Sequence, residues 1–233
     1  NIDILNEFIV NVGSVLQAIQ KSYSIISETE KRMVMKNYNK LMDAYRFKAP
    51  QNITLELKHI VPKKYEDYKN VVSIRRNYSV TDKADGERNL LIITENDNAY
   101  LFNRNNEIKS IGCKFVNLEG TILDGEYITK DKNGNNINLF MVFDVYFINN
   151  EDVKYRPLYK SEEEKGTGDL SRLEILNNLF DSLNIETDNN FEIKLKKFYF
   201  GDTTEYSSEV EKQINDAEVL LSQQIENSDN YNS

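Results

Sequence analysis

Residues 83–93, with the sequence KADGERNLLII, decide the fold that we predict for this chain. A polar segment whose glycine permits a sharp turn leads directly into the apolar run 90–93. A second apolar run at 99–102 follows the polar turn 95–98, so the two runs are predicted to be paired strands. Residues 139–148 are apolar enough to form a central strand buried on both faces. The segment from about residue 78 to about residue 149 is therefore expected to be rich in β-structure.

Helices are predicted on both sides of this β-rich segment. Up to about residue 45 the chain carries an apolar stripe at helical period, formed by Ile4, Leu5, Phe8, Ile9, Val12, Val15, Leu16 and Ile19. A second helix is predicted from near Ser27, and the favoured interpretation is a packed helix pair that ends before Pro50. Capping boxes at 171–174 and 208–211 predict two later helices, and alternation at 191–198 predicts a strand between them.

Composition limits the kinds of site that the chain can build. Its 233 residues suffice for one large domain, or for a domain with a helical extension. The net charge of −9 argues against a broad electrostatic grip on nucleic acid, although it does not exclude an RNA end as substrate. A single cysteine, Cys113, suits a reducing compartment, and a single histidine, His59, excludes zinc sites and histidine-based triads. No apolar stretch approaches membrane-spanning length and no secretory leader is visible, so no membrane partner is expected.

Three short motifs lie in and beside the predicted strands: KADGER at 83–88, LDGE at 123–126 and FMVFDV at 140–145. Taken singly, each has an ordinary structural interpretation, because DG pairs are common in turns and an apolar run is usually core. In this order and spacing they resemble the covalent nucleotidyltransferase superfamily, which includes mRNA capping guanylyltransferases and ATP-dependent polynucleotide ligases. Ala84, with the lead-in 78–82 and the segment 47–55, is most similar to capping enzymes of large cytoplasmic DNA viruses and related cytoplasmic elements.

The resemblance implies that Lys83 is the catalytic nucleophile. Its neutral amine would attack the α-phosphorus of GTP and hold GMP as a lysyl phosphoramidate. Mg²⁺ or Mn²⁺ is the expected cofactor, because a divalent ion neutralises phosphate charge. Arg88 would contact the ribose or the transferred phosphate, Glu126 a ribose hydroxyl, and Phe143 the purine. The resemblance implies three groups of site residues besides Lys83. They are the nucleotide-binding residues Arg88, Arg104, Glu126 and Phe143, the supporting residues Asp85, Gly86 and Asp144, and the metal ligands Glu126 and Asp144. Arg104 is about equally well explained as a cation in a hairpin turn.

The fold implied by the resemblance is α+β: an antiparallel-sheet-based nucleotidyltransferase fold of the ATP-grasp-like ligase and capping type. Residues 1–46 would be a helical segment linking to an upstream domain, and residues 47–233 a partial nucleotidyltransferase domain. The family's later acidic-glycine motif is not found before Ser233, and its carboxy-terminal OB-fold is absent from this sequence. Lys194-Leu195-Lys196 imitates the family's lysine pair but comes too early, so it is interpreted as a structural strand. The isolated chain is accordingly expected to turn over little.

The function implied is the guanylyltransferase part of a multifunctional capping enzyme. It would transfer GMP from GTP, through Lys83, to the diphosphate 5′ end of RNA. Triphosphatase and methyltransferase domains of the same longer polypeptide would be partners. The expected location is cytoplasmic, in the factory or virion of a cytoplasmic DNA virus or with a cytoplasmic genetic element. An ATP-dependent DNA or RNA ligase using a lysyl-AMP intermediate is one alternative, and a non-catalytic interaction module that retains the fold is another.

Overall fold

A computed structural model describes the chain at residues 2–20, 24–60, 79–160, 166, 168–187 and 190–200. The chain forms two units: the first comprises residues 1–49, 84–130 and 136–195, and the second residues 50–83, 131–135 and 196–233. The helices are α1 (Ile2–Gln20), α2 (Glu28–Met42), α3 (Leu57–Ile60) and α4 (Arg172–Asp181). The strands are β1 (Ser79–Val80), β2 (Glu87–Ile93), β3 (Asn98–Asn103), β4 (Ile108–Phe115), β5 (Thr121–Lys130), β6 (Asn136–Ile148), β7 (Glu151–Asp152), β8 (Ile185–Thr187), β9 (Glu192–Leu195) and β10 (Tyr199–Phe200).

The described part of the first unit is built on one eight-stranded sheet in the order β7-β6-β5-β2-β3-β4-β8, with β9 paired to β6. Its pairings are antiparallel except for the parallel pair of β6 and β9. β2 and β3 are joined by a tight turn in which Asn96 and Asp97 adopt positive φ angles of 64° and 62°, which such residues tolerate better than most. The predicted α+β fold with an antiparallel sheet is confirmed at this level.

Two capping boxes are present within the described residues, the one predicted at 171–174 and a second at the predicted helix start near Ser27, and each begins a helix that covers the sheet. Ser27 and Glu30 begin α2, whose Val34, Tyr38 and Met42 are buried against strand residues such as Leu90, Ile92 and Phe102. The second box, at 171–174, begins α4, which lies against β6 and β9 and buries Leu173, Ile175, Leu176 and Leu179. The predicted helix at 208–211 lies outside the described residues.

Helix α1 differs from what the sequence predicted. Its apolar side chains are exposed, with Ile2 at 75% and Ile19 at 71%, and none of its residues is buried. The predicted packing of this stripe is therefore wrong within the described residues, although α1 and α2 both form where expected.

The expectation that no segment approaches membrane-spanning length is also wrong, because α1 has 19 residues and contains an 18-residue window with a mean hydropathy of 1.3. Polar residues interrupt the apolar ones along α1, so the segment contains no long continuous apolar run, but only Asp3 and Glu7 are charged. The finding concerns length and composition alone, which signal sequences and core helices share.

The second unit is described at fewer positions. β1 pairs with β10 in antiparallel fashion, and the Thr81 hydroxyl donates to the Lys197 carbonyl at 2.7 Å. His59 is buried and its Nδ1 accepts from the Glu56 amide at 2.8 Å. Asp131 accepts from the amides of Asn133 and Asn135, and its hydrogen bonds lower its pKa, so this carboxylate orders a turn. The domain boundary expected at 46/47 stays a prediction.

Candidate active site

The candidate site begins where the apolar core of the first unit ends. Along β2, Ile92 and Leu90 face α2 and are buried, and Arg88 is the next residue on the same face. Arg88 is paired with Glu126 on β5, Glu126 with Met141 on β6, and Met141 with Lys194 on β9. Directly paired residues share a face of a sheet, so these four side chains form one row across four strands. A guanidinium, a carboxylate, an apolar group and an ammonium therefore stand side by side.

The Arg88 guanidinium is anchored from the side by a buried carboxylate. Its Nε donates to Asp124 Oδ1 at 3.0 Å and its Nη2 to Asp124 Oδ2 at 2.5 Å. Asp124 is fully buried, and only 12% of the Arg88 side chain is exposed. The hydrogen bond that Arg88 donates to Asp124 raises the pKa of Arg88 further above its ordinary value. The bidentate geometry sets the orientation of the guanidinium plane, which is what recognition of a phosphate or a hydroxyl requires.

Tyr146 completes this cluster from β6. Its hydroxyl donates to Asp124 Oδ2, and the hydroxyl oxygen lies 3.5 Å from Arg88 Nη2. Burial, followed by the nearby Asp124 carboxylate, raises the pKa of Tyr146, so its hydroxyl stays protonated and remains a donor. Asp124 thus receives hydrogen bonds from two side chains, which offset the cost of burying its charge.

Two β-bulges in β6 bring aromatic side chains to this cluster. Gly125 of β5 is opposite Val142 of β6 and Asp124 is opposite Asp144, so Phe143 is an extra residue of β6. Leu123 is opposite Val145 and Ile122 is opposite Phe147, so Tyr146 is a second extra residue. A bulge inserts one residue and re-aims side chains locally. The ring centroid of Phe143 lies 5.5 Å from the Arg88 guanidinium carbon, at cation–π distance. The structure therefore brings Phe143, Arg88 and Glu126 to one face of the sheet.

Asp144 is held by a different arginine. Arg172, the first residue of α4, donates from Nε to Asp144 Oδ1 at 2.7 Å and from Nη2 to Oδ2 at 3.2 Å. Arg172 also donates to the carbonyls of Lys154 and Arg156, so the pair ties β6 to the segment before α4. Burial raises the pKa of Asp144 and outweighs the opposing effect of Arg172. These contacts favour the supporting role predicted for Asp144.

One of the two predicted metal ligands, Asp144, is already engaged by an arginine. Both carboxylate oxygens of Asp144 accept hydrogen bonds from Arg172, so binding a cation there would require breaking this pair. Among the described residues, no group of three or more histidine, cysteine, aspartate or glutamate side chains could hold a metal ion. A metal requirement stays a prediction.

The glycines of the two motifs are required by close packing. A Cβ on Gly86 would lie 2.5 Å from the Tyr127 carbonyl oxygen, and a Cβ on Gly125 would lie 2.6 Å from that of Met141. Real Cβ atoms do not approach backbone this closely, so Gly125 permits β5 to approach β6, and Gly86 permits the bend before β2 to approach β5. The predicted supporting role of Gly86 therefore has a structural basis.

The remaining predicted residues lie outside the row. Lys83 and Asp85 are exposed; Lys83 is the last residue of the 50–83 segment in the second unit, five residues before Arg88 in the chain. Arg104 is exposed in the turn between β3 and β4, immediately after Asn103, whose amide donates to Glu87 and Glu107 at 2.8 Å. Both interpretations of Arg104 stay open.

Sequence reasoning did not single out Asp124, Tyr146 or Arg172, nor did it place Lys194 in the row. Asp124 could have been found, because it stands inside the quoted LDGE motif. Tyr146 was hidden in an apolar run, and Arg172 carries no signal besides its position after a capping serine. The strand predicted at 191–198 is present as β9, and its pairing with β6 is what places Lys194.

Comparison with known proteins adds two findings. The family described as "mRNA capping enzyme, catalytic domain" matches residues 24–218. The chain is also 28% identical over 220 residues to a "Probable mRNA-capping enzyme" of Acanthamoeba polyphaga mimivirus, with 89% of this chain covered. The chain spans only 17% of the length of that relative.

Proposed function

Because the chain belongs to the mRNA capping enzyme catalytic-domain family, we propose that it is a GTP-dependent mRNA guanylyltransferase. The observation that carries the proposal is the KADGER motif leading into a row of nucleotide-recognition groups headed by the anchored Arg88. The viral relative named as a probable capping enzyme supports the capping reaction over ligation.

The reaction has two balanced steps. First, the neutral amine of Lys83 attacks the α-phosphorus of GTP, a P–N bond forms, the bond to the β-phosphate oxygen breaks, and pyrophosphate and a proton leave. Second, an oxygen of the RNA 5′-diphosphate attacks the same phosphorus, and the P–N bond breaks as its nitrogen takes up a proton to return the amine. The RNA then carries GMP through a triphosphate bridge.

The groups of the row have separate roles in this reaction. Arg88, fixed by Asp124 and Tyr146, presents a permanent positive charge to phosphate or ribose oxygens with little loss of side-chain entropy on binding. Glu126 accepts from a ribose hydroxyl, and Phe143 offers an apolar ring to the purine. Asp144 and Arg172 keep the bulged part of β6 in place.

The wider setting is proposed on the same basis. GTP and the 5′ end of RNA are the substrates, and triphosphatase and methyltransferase domains belong to the same longer polypeptide. The relative, of which this chain spans 17%, is consistent with such a polypeptide. We place the protein in the cytoplasm, in the factory or virion of a cytoplasmic DNA virus or with a cytoplasmic genetic element. The finer fold proposal is the ATP-grasp-like nucleotidyltransferase type, with its OB-fold outside this sequence.

Covalent labelling tests the function directly. The longest available polypeptide containing this chain is incubated with GTP or ATP labelled at the α-phosphate, and the protein is separated under denaturing conditions. We expect label from GTP in the wild type, none in Lys83→Ala, and full label in Lys114→Ala, which removes an exposed lysine of β4. Label from ATP alone would move the protein to the ligases. Absence of label from both nucleotides would support the non-catalytic alternative.

A further inference from the structure

Helix α2 presents two unlike faces. Val34, Tyr38 and Met42, spaced four residues apart, are buried against the sheet. Arg32, Lys36 and Lys40 have the same spacing and are exposed, so they form one line along the solvent side of the helix. We call these three residues the α2 cation stripe.

The three cations of the α2 cation stripe are not held in ion pairs by the part of the chain that the structure describes, and Arg32 acts only through space on Glu28, whose pKa it helps to lower. None of the three side chains makes a hydrogen bond or an ion pair there, whereas their neighbour Lys31 is paired with Glu28 at 2.8 Å. In a chain with a net charge of −9, three adjacent cations without an ion pair to a described residue form a local surface of the opposite sign, which can attract a polyanion.

A cleft adjoins the stripe at its Arg32 end. The cleft has a volume of about 700 Å³ and lies between the end of α1, the first turns of α2 and the β3–β4 turn. Lys31, Arg32 and Lys109 contribute cations to its lining, and Glu28 and Glu107 contribute carboxylates. Glu28 is paired with Lys31, and Glu107 accepts from the Asn103 amide. Lys109 is paired with Glu87 at 3.6 Å, so Arg32 is the cation of the cleft that makes no ion pair with a described residue. At the other end of the stripe, Lys40 shares a small cavity with Glu95 and Glu119.

We propose that the α2 cation stripe and the adjoining cleft bind the phosphate backbone of the RNA acceptor, downstream of the end that is capped. The inference rests on the proposed function, because that function makes RNA the polyanion available to this protein. At about 1.5 Å of rise per residue, positions four apart are separated by about 6 Å along the helix, and the stripe spans about 12 Å. Long, flexible cations at this separation can contact successive phosphates of one strand.

Contacts of this kind are independent of sequence and strongly dependent on salt. Each phosphate neutralised on a single strand contributes about 0.7 to the slope of log affinity against log salt concentration. A merely solvated helix face contributes nothing to this slope, so the slope separates the two roles.

The test measures RNA binding over a salt titration with a long 5′-diphosphate RNA and the full polypeptide. We expect Lys36→Gln/Lys40→Gln to make the slope shallower by about 1.4, and addition of Arg32→Gln to bring the change to about 2.1. The matched control is Lys114→Gln/Lys130→Gln, which removes two exposed lysines of the same unit that make no ion pair with a described residue. The control is expected to leave the slope within error.

Protein–GMP formation from GTP is measured in parallel, because it needs no RNA. If the wild-type protein forms no GMP adduct, the proposed function is refuted, and the slope measurement still reports whether the stripe binds RNA. If the slope of log affinity against log salt concentration changes no more in the stripe variants than in the control variant, the inference is overturned. The stripe would then contact an acidic protein or solvent and not RNA. Single Lys36→Gln, with an expected change of about 0.7, provides the same test should the multiple variants fold poorly.

Discussion

Replacing Asp124 by asparagine should destabilise the first unit strongly. The substitution keeps the shape of the side chain but removes the charge that holds Arg88, of which only 12% is exposed. The new amide NH₂ would also face the guanidinium N–H groups or the Tyr146 hydroxyl. Breaking a buried ion pair by removing one partner costs about 3–5 kcal/mol, because a charge is left without compensation. We therefore expect the free energy of unfolding to fall by at least about 3 kcal/mol.

Urea unfolding followed by far-ultraviolet circular dichroism measures this loss, since the chain has no tryptophan for fluorescence. The control is Asp152→Asn, which breaks a pair with Lys154 whose two side chains are 40% and 24% exposed. An exposed pair of this kind is worth about 0–1 kcal/mol. A difference between the two variants of less than about 1 kcal/mol would refute the view that Asp124 and Arg88 form a buried, mutually dependent pair.

Three further changes test other parts of the site. Tyr146→Phe should lower the free energy of unfolding by about 1.5–3 kcal/mol, because the Tyr146 hydroxyl donates to a charged group. Tyr127→Phe loses a hydrogen bond to a neutral amide and should lower it by about 1 kcal/mol. Equal losses for the two variants in urea unfolding would contradict this prediction. Gly125→Ala should lower the melting temperature, because the new Cβ forces β5 away from β6 at a cost of about 1–3 kcal/mol. Gly13→Ala in α1 has room for its Cβ and should raise the melting temperature, because alanine favours the helix. Burial raises the pKa of Asp144 above its ordinary 3.8, so at mildly acidic pH the folded state binds a proton that the unfolded state releases. The free energy of unfolding of the wild type, relative to that of Asp144→Asn, should therefore fall as the pH rises through the raised pKa. A difference between the two proteins that does not change from acidic to neutral pH would contradict this prediction.

Much of the sheet could be predicted because its signals are local. The glycine turn before β2, the β2–β3 hairpin and the two capping boxes within the described residues each depend on a few neighbouring residues. The motif residues Arg88, Glu126 and Phe143 meet on one face, whereas their roles toward a nucleotide stay predictions. Their meeting follows from strand pairing, which local patterns do not specify.

The rest depended on long-range geometry that no local pattern encodes. Periodicity of two would place Phe143 and Tyr146 on opposite faces, and only the bulges bring both to the Arg88 cluster. Arg172 reaches Asp144 from 28 residues away in the chain. For α1 the apolar stripe was recognised, but the period of a stripe predicts a helix and says nothing about which surface, if any, covers it.

The two bulges make β6 sensitive to the number of its residues. β6 uses 13 residues where β5 has 10, and two of the surplus positions carry the aromatic rings beside the anchored arginine. Removing any one residue between Val142 and Phe147 would restore simple alternation over part of the strand and take one ring from its place. Exchange of side chains here leaves the backbone path intact. Engineering of this domain should therefore vary the residues of this segment while keeping its length, and place insertions and deletions in the hairpin turns.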